Sequence, residues 1–187
     1  MDVTSWACAQ AERDLAGLPR RWAHVRGVAR RASMAAEALS VEDGEMLVAA
    51  AFLHDVGYAS HVATSGFHAL DGACHLRDLA APGRLCALVA HHSCAYREAE
   101  LRGLSAHLAQ WADERTPVRD ALWWADMTTT PDGEPTNIHD RIEEIQKRYG
   151  PEDLVTFFIR QAKPELVAAV ERTEERLRAA GVDYTAK

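Results

Sequence analysis

The chain has 187 residues, a formal charge of −7 and 48% apolar residues. That length suits one domain with a sizeable core, and that apolar share excludes disorder. The negative balance argues against a broad nucleic-acid surface, though bound metal could still reverse the field locally for a small anionic substrate.

Apolar periodicity predicts helices throughout. Residues 5–16 form a short one, ended by Gly17 and Pro19. Residues 20–39 form a longer one, with His24, Val28, Ala32, Ala35 and Leu39 on its inward stripe. Ser40 and Asp43 mark a helix start before a buried helix over 44–56. A loop from Gly57 to Gly66 follows, then helices over 67–80 and 84–92. Leu101, Leu104, Leu108 and Trp111 predict an amphipathic helix, and Val118, Ala121, Leu122 and Ala125 the next. Thr128–Thr136 is a loop and Ile138, Ile142, Ile145 and Tyr149 mark a helix. Gly150-Pro151 separates it from a helix over 152–162, and Pro164 opens a last charged helix to about Ala180, expected to be a solvated face. No strand, repeat or linker is visible. The expectation is an all-α bundle of about eight to nine helices in a single domain over residues 1–187, with a core at about 20–130 and a helical extension over 137–180.

The four cysteines, Cys8, Cys74, Cys86 and Cys94, form no CxxC pair and read as reduced and mostly buried. Met1-Asp2-Val3-Thr4 is not a basic segment leading into an apolar one, and no apolar run reaches bilayer length. A soluble cytoplasmic protein without membrane contact is expected. The oligomeric state is open, and a homodimer is compatible with it.

The chemistry centres on Ala49-Ala50-Ala51-Phe52-Leu53-His54-Asp55-Val56-Gly57. An apolar run ending in adjacent imidazole and carboxylate suggests metal ligands, because a buried carboxylate is costly unless paired or metal-bound. Asp126 ends a similar run, Ala121-Leu122-Trp123-Trp124-Ala125. His24, His68 and His91 or His92 lie at or near inner helix ends. These donors suit zinc, iron, manganese, cobalt or nickel. The lack of thiolates points to a catalytic rather than a structural site.

The order His24, His54-Asp55, Asp126 resembles the HD-domain superfamily of metal-dependent phosphohydrolases. The strings Arg21-Trp22-Ala23-His24, Leu53-His54-Asp55-Val56-Gly57 and Trp124-Ala125-Asp126-Met127 carry the likeness, over about residues 20–130. The resemblance implies that His24, His54, Asp55 and Asp126 hold a metal. Members with two further histidines hold a second ion, and His68 and His91 fit that pattern. Asp55 would then bridge the two.

Between neighbouring histidines the signals conflict. Leu85, Leu88 and Val89 put His92 on the apolar stripe, whereas the family pattern prefers His91. The resemblance selects His91 as ligand. His92 then supports a ligand or faces the phosphate, and with Asp55 makes up the expected catalytic residues. Arg20, Arg21 and Tyr58 are the expected substrate contacts; Tyr58 stands where many relatives have lysine. Asp71 either orients His68 or caps the following helix. His61, His75, His107 and His139 have no partner pattern and read as surface or packing residues.

The resemblance implies one or two divalent ions (Fe, Mn, Co, Ni or Zn) and hydrolysis of a small phosphorylated metabolite, a nucleotide first, by metal-activated water. The six-ligand pattern is also that of mixed-valent di-iron oxygenases of the HD type. A non-catalytic helical binding module supported by metal is the third alternative.

Overall fold

The computed structural model describes residues 2–185. Among them the chain forms ten α-helices and two 3-10 turns. The sole departure from helix and loop there is an isolated antiparallel bridge between Thr129 and Pro135. The fold is all-α, and no helix of the described residues is long and apolar enough to cross a membrane.

Local chemistry explains the first elements. Helix α1 (Val3–Leu15) starts where the Asp2 carboxylate accepts from Ser5 N, and buries Ala7, Ala11 and Leu15. Helix α2 (Pro19–Ala36) has proline in its first turn, where the missing N–H costs no hydrogen bond. Helix α3 (Val41–Leu53) is capped by Ser40, whose side chain accepts from Asp43 N. Its run Ala49, Ala50, Ala51 and Leu53 is fully buried. Small side chains there allow α1, α2 and later helices to close on it from several sides.

The chain leaves α3 through a 3-10 turn over Val56–Tyr58 and re-enters helix at α4 (His68–Asp78). Gly57 permits this reversal. A Cβ there would lie 1.9 Å from His68 O and 2.8 Å from Gly72 N, both backbone atoms. Asp71 caps the connection: its carboxylate accepts from the N–H groups of Thr64, Ser65 and Gly66 and from two hydroxyls. It therefore orders the loop before α4, which is neither expected role: the start of α4 has no side-chain cap, and the carboxylate's bonds go to Thr64, Ser65 and Gly66 rather than to His68.

Helix α5 (Gly83–Ala90) ends earlier than its apolar pattern suggests, and a 3-10 turn covers His92–Cys94. Ser93 and Cys94 both sit in the left-handed region, at φ 46° and 60°. Two non-glycine residues there in succession store backbone strain. The next stretch is not the single helix expected around Leu101–Trp111. Helix α6 (Ala95–Arg102) stops at Gly103, which has φ +70°, and α7 (Ser105–Leu108) is one short turn.

Helix α8 (Pro117–Met127) carries the buried Trp123 and Trp124. Helix α9 (Ile138–Tyr149) starts at the Asn137 cap. Helix α10 (Leu154–Ala179) is continuous through Pro164, so the expected break there is absent. The reason is packing: Phe158, Ile159 and Ala162 before the proline, and Leu166, Ala169 and Val170 after it, lie on one buried stripe. An interior proline costs about 3 kcal/mol, an amount that several buried apolar side chains offset. Nor is the charged face of α10 simply solvated. Arg172 makes two bonds to the buried Asp120 of α8, at 2.8 and 2.9 Å. One hydrophobic cluster, running from Ala7 to Leu177, joins these elements.

Because the Gly57 contact is backbone against backbone, no rotamer can relieve it. Gly57→Ala is expected to lower stability by about 2–3 kcal/mol, the upper range for overpacking. Urea denaturation checks this; an unchanged midpoint would show that the approach of Gly57 to His68 is not needed.

Candidate metal centre

Four parts of the bundle deliver nitrogen and oxygen donors to one buried region. His24 comes from the middle of α2, His54 and Asp55 from the C-terminal end of α3, His68 from the first residue of α4, and Asp126 from the last turn of α8. The sixth donor is His92, from the strained turn after α5. The donors group in threes, with all donor atoms of a group within 4.8 Å of one another: His24, His54 and Asp126, then Asp55, His68 and His92.

Asp55 lies between the groups. Its Oδ2 is 3.4 Å from His54 Nε2 and 3.9 Å from His24 Nε2, while its Oδ1 is 3.6 Å from His68 Nε2. Asp126 Oδ1 is 3.2 Å from His24 Nε2 and 3.9 Å from His54 Nε2. The other oxygen of Asp126 accepts from Ser93 Oγ at 2.5 Å, which fixes the carboxylate.

Backbone carbonyls dictate the histidine tautomers. Nδ1 of His24 lies 2.9 Å from Thr130 O, that of His54 2.8 Å from Ala51 O, and that of His92 2.7 Å from Val89 O. A carbonyl only accepts, so each Nδ1 carries the proton and each neutral ring turns a bare Nε2 lone pair inward. Those lone pairs meet carboxylate oxygens, which are also acceptors. His54 Nε2 is fully buried and makes no hydrogen bond. His68 Nε2 and His92 Nε2 face each other at 3.0 Å. Such a set is short of positive charge, and a divalent cation supplies it. The all-N/O donor set and the orphaned His54 nitrogen therefore fit a metal centre.

Without metal, protonation supplies part of the missing charge. Burial alone would depress His54, but Asp55 and Asp126 outweigh it and raise its pKa to about 9. Burial opposes ionisation of Asp55 and Asp126 too, yet Arg21 and His54 hold Asp55, and His24 and His54 hold Asp126, well below the usual carboxylate range. Burial, then His92, lowers His68 to about 3, leaving it a neutral ligand-ready imidazole.

His91 is corrected by its position. Its Nε2 donates to Trp111 O at 2.8 Å, and its own carbonyl accepts from Trp123 Nε1 at 2.9 Å. It is built into the core, because α5 ends at Ala90 and the following turn swings His92, not His91, toward Asp55. Arg20 pairs with Asp132 at 2.9 Å on the surface, with 63% of its side chain exposed, in the wall of a neighbouring cavity that Arg21, His24 and Tyr58 also line. Arg21 donates to Asp55 Oδ2 at 2.6 Å, and its guanidinium lies 4.0 Å from the Tyr58 ring centre. Tyr58 in turn stacks on His68, with ring centres 4.2 Å apart and planes at 17°. Each residue thus touches a candidate ligand, Arg21 through charge and Tyr58 through packing, and both line the cavity beside the donors.

A cavity of about 240 Å3 opens onto the donors. Its wall includes Arg102 of α6 and Arg141 and Arg148 of α9, which the sequence reading missed. A signal existed for Arg141: it lies on the same stripe as Ile138, Ile142 and Ile145, so its burial was legible. Its side chain is 5% exposed, and its Nε has no partner.

A family model for the HD domain matches residues 21–118, over half of the chain. The chain belongs to the HD-domain family and so to a superfamily of metal-dependent hydrolases. The match stops short of Asp126, which the order of the sequence motifs and the geometry add to the set. No curated protein and no solved structure matches the chain.

Replacing the two neighbouring histidines separates their roles. His92→Ala is expected to hold one ion fewer per chain than the parent. His91→Ala is expected to keep its metal but lose about 1–3 kcal/mol of stability, the cost of leaving a buried carbonyl unpaired. Elemental analysis beside thermal denaturation reads both; metal loss in His91→Ala alone would reverse the assignment.

Proposed function

We propose that the chain is a metal-dependent phosphohydrolase that releases phosphate from a small phosphorylated metabolite, with nucleotides the first class to try. The observation that carries this reading is the pair of donor groups with Asp55 between them, opening onto a cavity whose wall includes arginines. His24, His54, Asp126, Asp55, His68 and His92 would hold the ions. Divalent ions at these donors would acidify water to about neutral pKa and hold phosphate oxygens.

The chain's own groups do the rest. Arg21 and His54 keep Asp55 ionised, and Ser93 holds Asp126 with one oxygen turned inward. Thr130, Ala51 and Val89 lock three imidazoles with Nε2 facing the centre. Arg141, paired through Nη1 with Glu144, lines the cavity beyond the donors, and the rest of its fixed fork of donors would suit an oxyanion there. Ile145, Val155, Phe158 and Ile159 form an apolar wall for the body of the substrate. Phosphoryl transfer needs mainly positioning and charge stabilisation, which this arrangement offers without a side-chain nucleophile.

One observation favours a second reading. Each oxygen of Asp55 faces a different donor group, and all six donors are nitrogen or oxygen, a set that also suits paired iron ions.

The deciding experiment is anaerobic purification, loading with iron, manganese or cobalt, and a screen of phosphorylated metabolites for phosphate release. The expected result is metal-dependent release without dioxygen, reduced more than about 100-fold in Asp126→Ala with helicity retained. Arg141→Met is expected to raise KM about tenfold or more with little change in kcat, the mark of uniform substrate binding. Dioxygen uptake with a mixed-valent iron signal and no phosphate release would move the assignment to an oxygenase. Metal binding without any turnover would leave a binding module.

A further inference from the structure

A second cluster lies away from this centre. Asp14, at the end of α1, has 2% of its side chain exposed. Its Oδ1 is 3.2 Å from His61 Nε2 and its Oδ2 is 3.1 Å from His75 Nε2. His61 belongs to the turn after Gly57 and His75 to α4. The two rings meet edge-on, at 83° with centres 6.0 Å apart, so both nitrogens converge on one carboxylate. Among the described residues this is the remaining group of three such donors within 4.8 Å of one another.

We infer that Asp14, His61 and His75 form a separate divalent-cation site of zinc type, with water completing the shell. Three features carry it. First, the spacings suit coordination. Hydrogen bonds from nitrogen to a carboxylate run about 2.7–2.9 Å when either partner is charged. The donor edges of a tetrahedral zinc with bonds of about 2.0–2.1 Å are roughly 3.3 Å. The separations of 3.1 and 3.2 Å, one to each carboxylate oxygen, fall between the two figures, so shifts of a few tenths of an ångström would admit a cation. Second, the carboxylate is held from behind. Gln10 Nε2 spans both oxygens, at 3.0 and 2.9 Å, and Gln10 Oε1 accepts from Arg13 Nη1 at 3.1 Å. The amide is thereby fixed with its donor toward Asp14, the kind of outer support that orients metal ligands. Third, the site is open. The His61 side chain is 57% exposed, which leaves an entry path and a position for water. A cation here would join α1 to α4 and to the turn that connects Asp55 with His68. It would brace that turn without entering the central donor set.

The test uses the full chain loaded with zinc and freed of loosely held metal by gel filtration. His61→Ala changes an exposed side chain, and His75→Gln serves as a second variant in case the first perturbs folding. The parent is expected to hold one zinc more per chain than either variant. It should also show an anomalous peak at the zinc edge between Asp14, His61 and His75, and a larger rise in Tm on adding zinc. Equal zinc counts in the parent and both variants, or no peak there in excess zinc, would overturn the inference. Either result is independent of the central ions, because the comparison subtracts them.

Discussion

Three backbone carbonyls and two carboxylates set a constraint that only a cation resolves. Thr130 O, Ala51 O and Val89 O each take the Nδ1 proton of an inward histidine. The opposite nitrogens are thereby committed as lone pairs, and they point at Asp55, Asp126 and one another. Without positive charge, this is a buried concentration of acceptors, which folding does not tolerate. The Arg21 guanidinium on Asp55 and the raised proton affinity of His54 are the metal-free protein's partial remedy.

The fold can be understood as the means of holding those groups against their mutual repulsion. Apolar packing of α2, α3 and α8 fixes the directions from which His24, His54 and Asp126 enter. Backbone detail does the finer placing. Gly133, with φ +87° and no room for a Cβ against Ala23 O, lets the segment after α8 press onto α2, which brings Thr130 O to His24. The left-handed residues Ser93 and Cys94 turn the chain sharply enough for His92 and Ser93 both to reach the centre. Strain of this kind persists only where the surrounding packing over-determines it. The arginines of α6 and α9 line the cavity as ion pairs, Arg102 with Glu98 and both Arg141 and Arg148 with Glu144.

Much of this was legible in the sequence. All-α periodicity was clear; His54, Asp55 and Asp126 stood out because a polar residue ending a wholly apolar run must have a partner, and His24 because it lies on the inward stripe of its helix and completes the HD-like order. What failed depended on geometry finer than periodicity. The apolar stripe of Leu85, Leu88 and Val89 pointed to His92 and the family pattern overrode it in favour of His91; the stripe was right, although the end of α5 and the two left-handed residues that deliver His92 are not encoded in it. Pro164 looked like a helix start because its local cost is large, whereas the buried stripe that overrides it is assembled from α8 and α9. His61 and His75 were dismissed for want of partners, yet both meet Asp14, which lies 47 and 61 positions away along the chain.

The most direct test is the X-ray absorption spectrum of the chain loaded anaerobically with ferrous iron. The account predicts a shell of nitrogen and oxygen alone at about 2.0–2.2 Å, with the outer scattering of several imidazole rings and no sulfur. A spectrum of fully hydrated iron without imidazole, or one with sulfur in the shell, would contradict it.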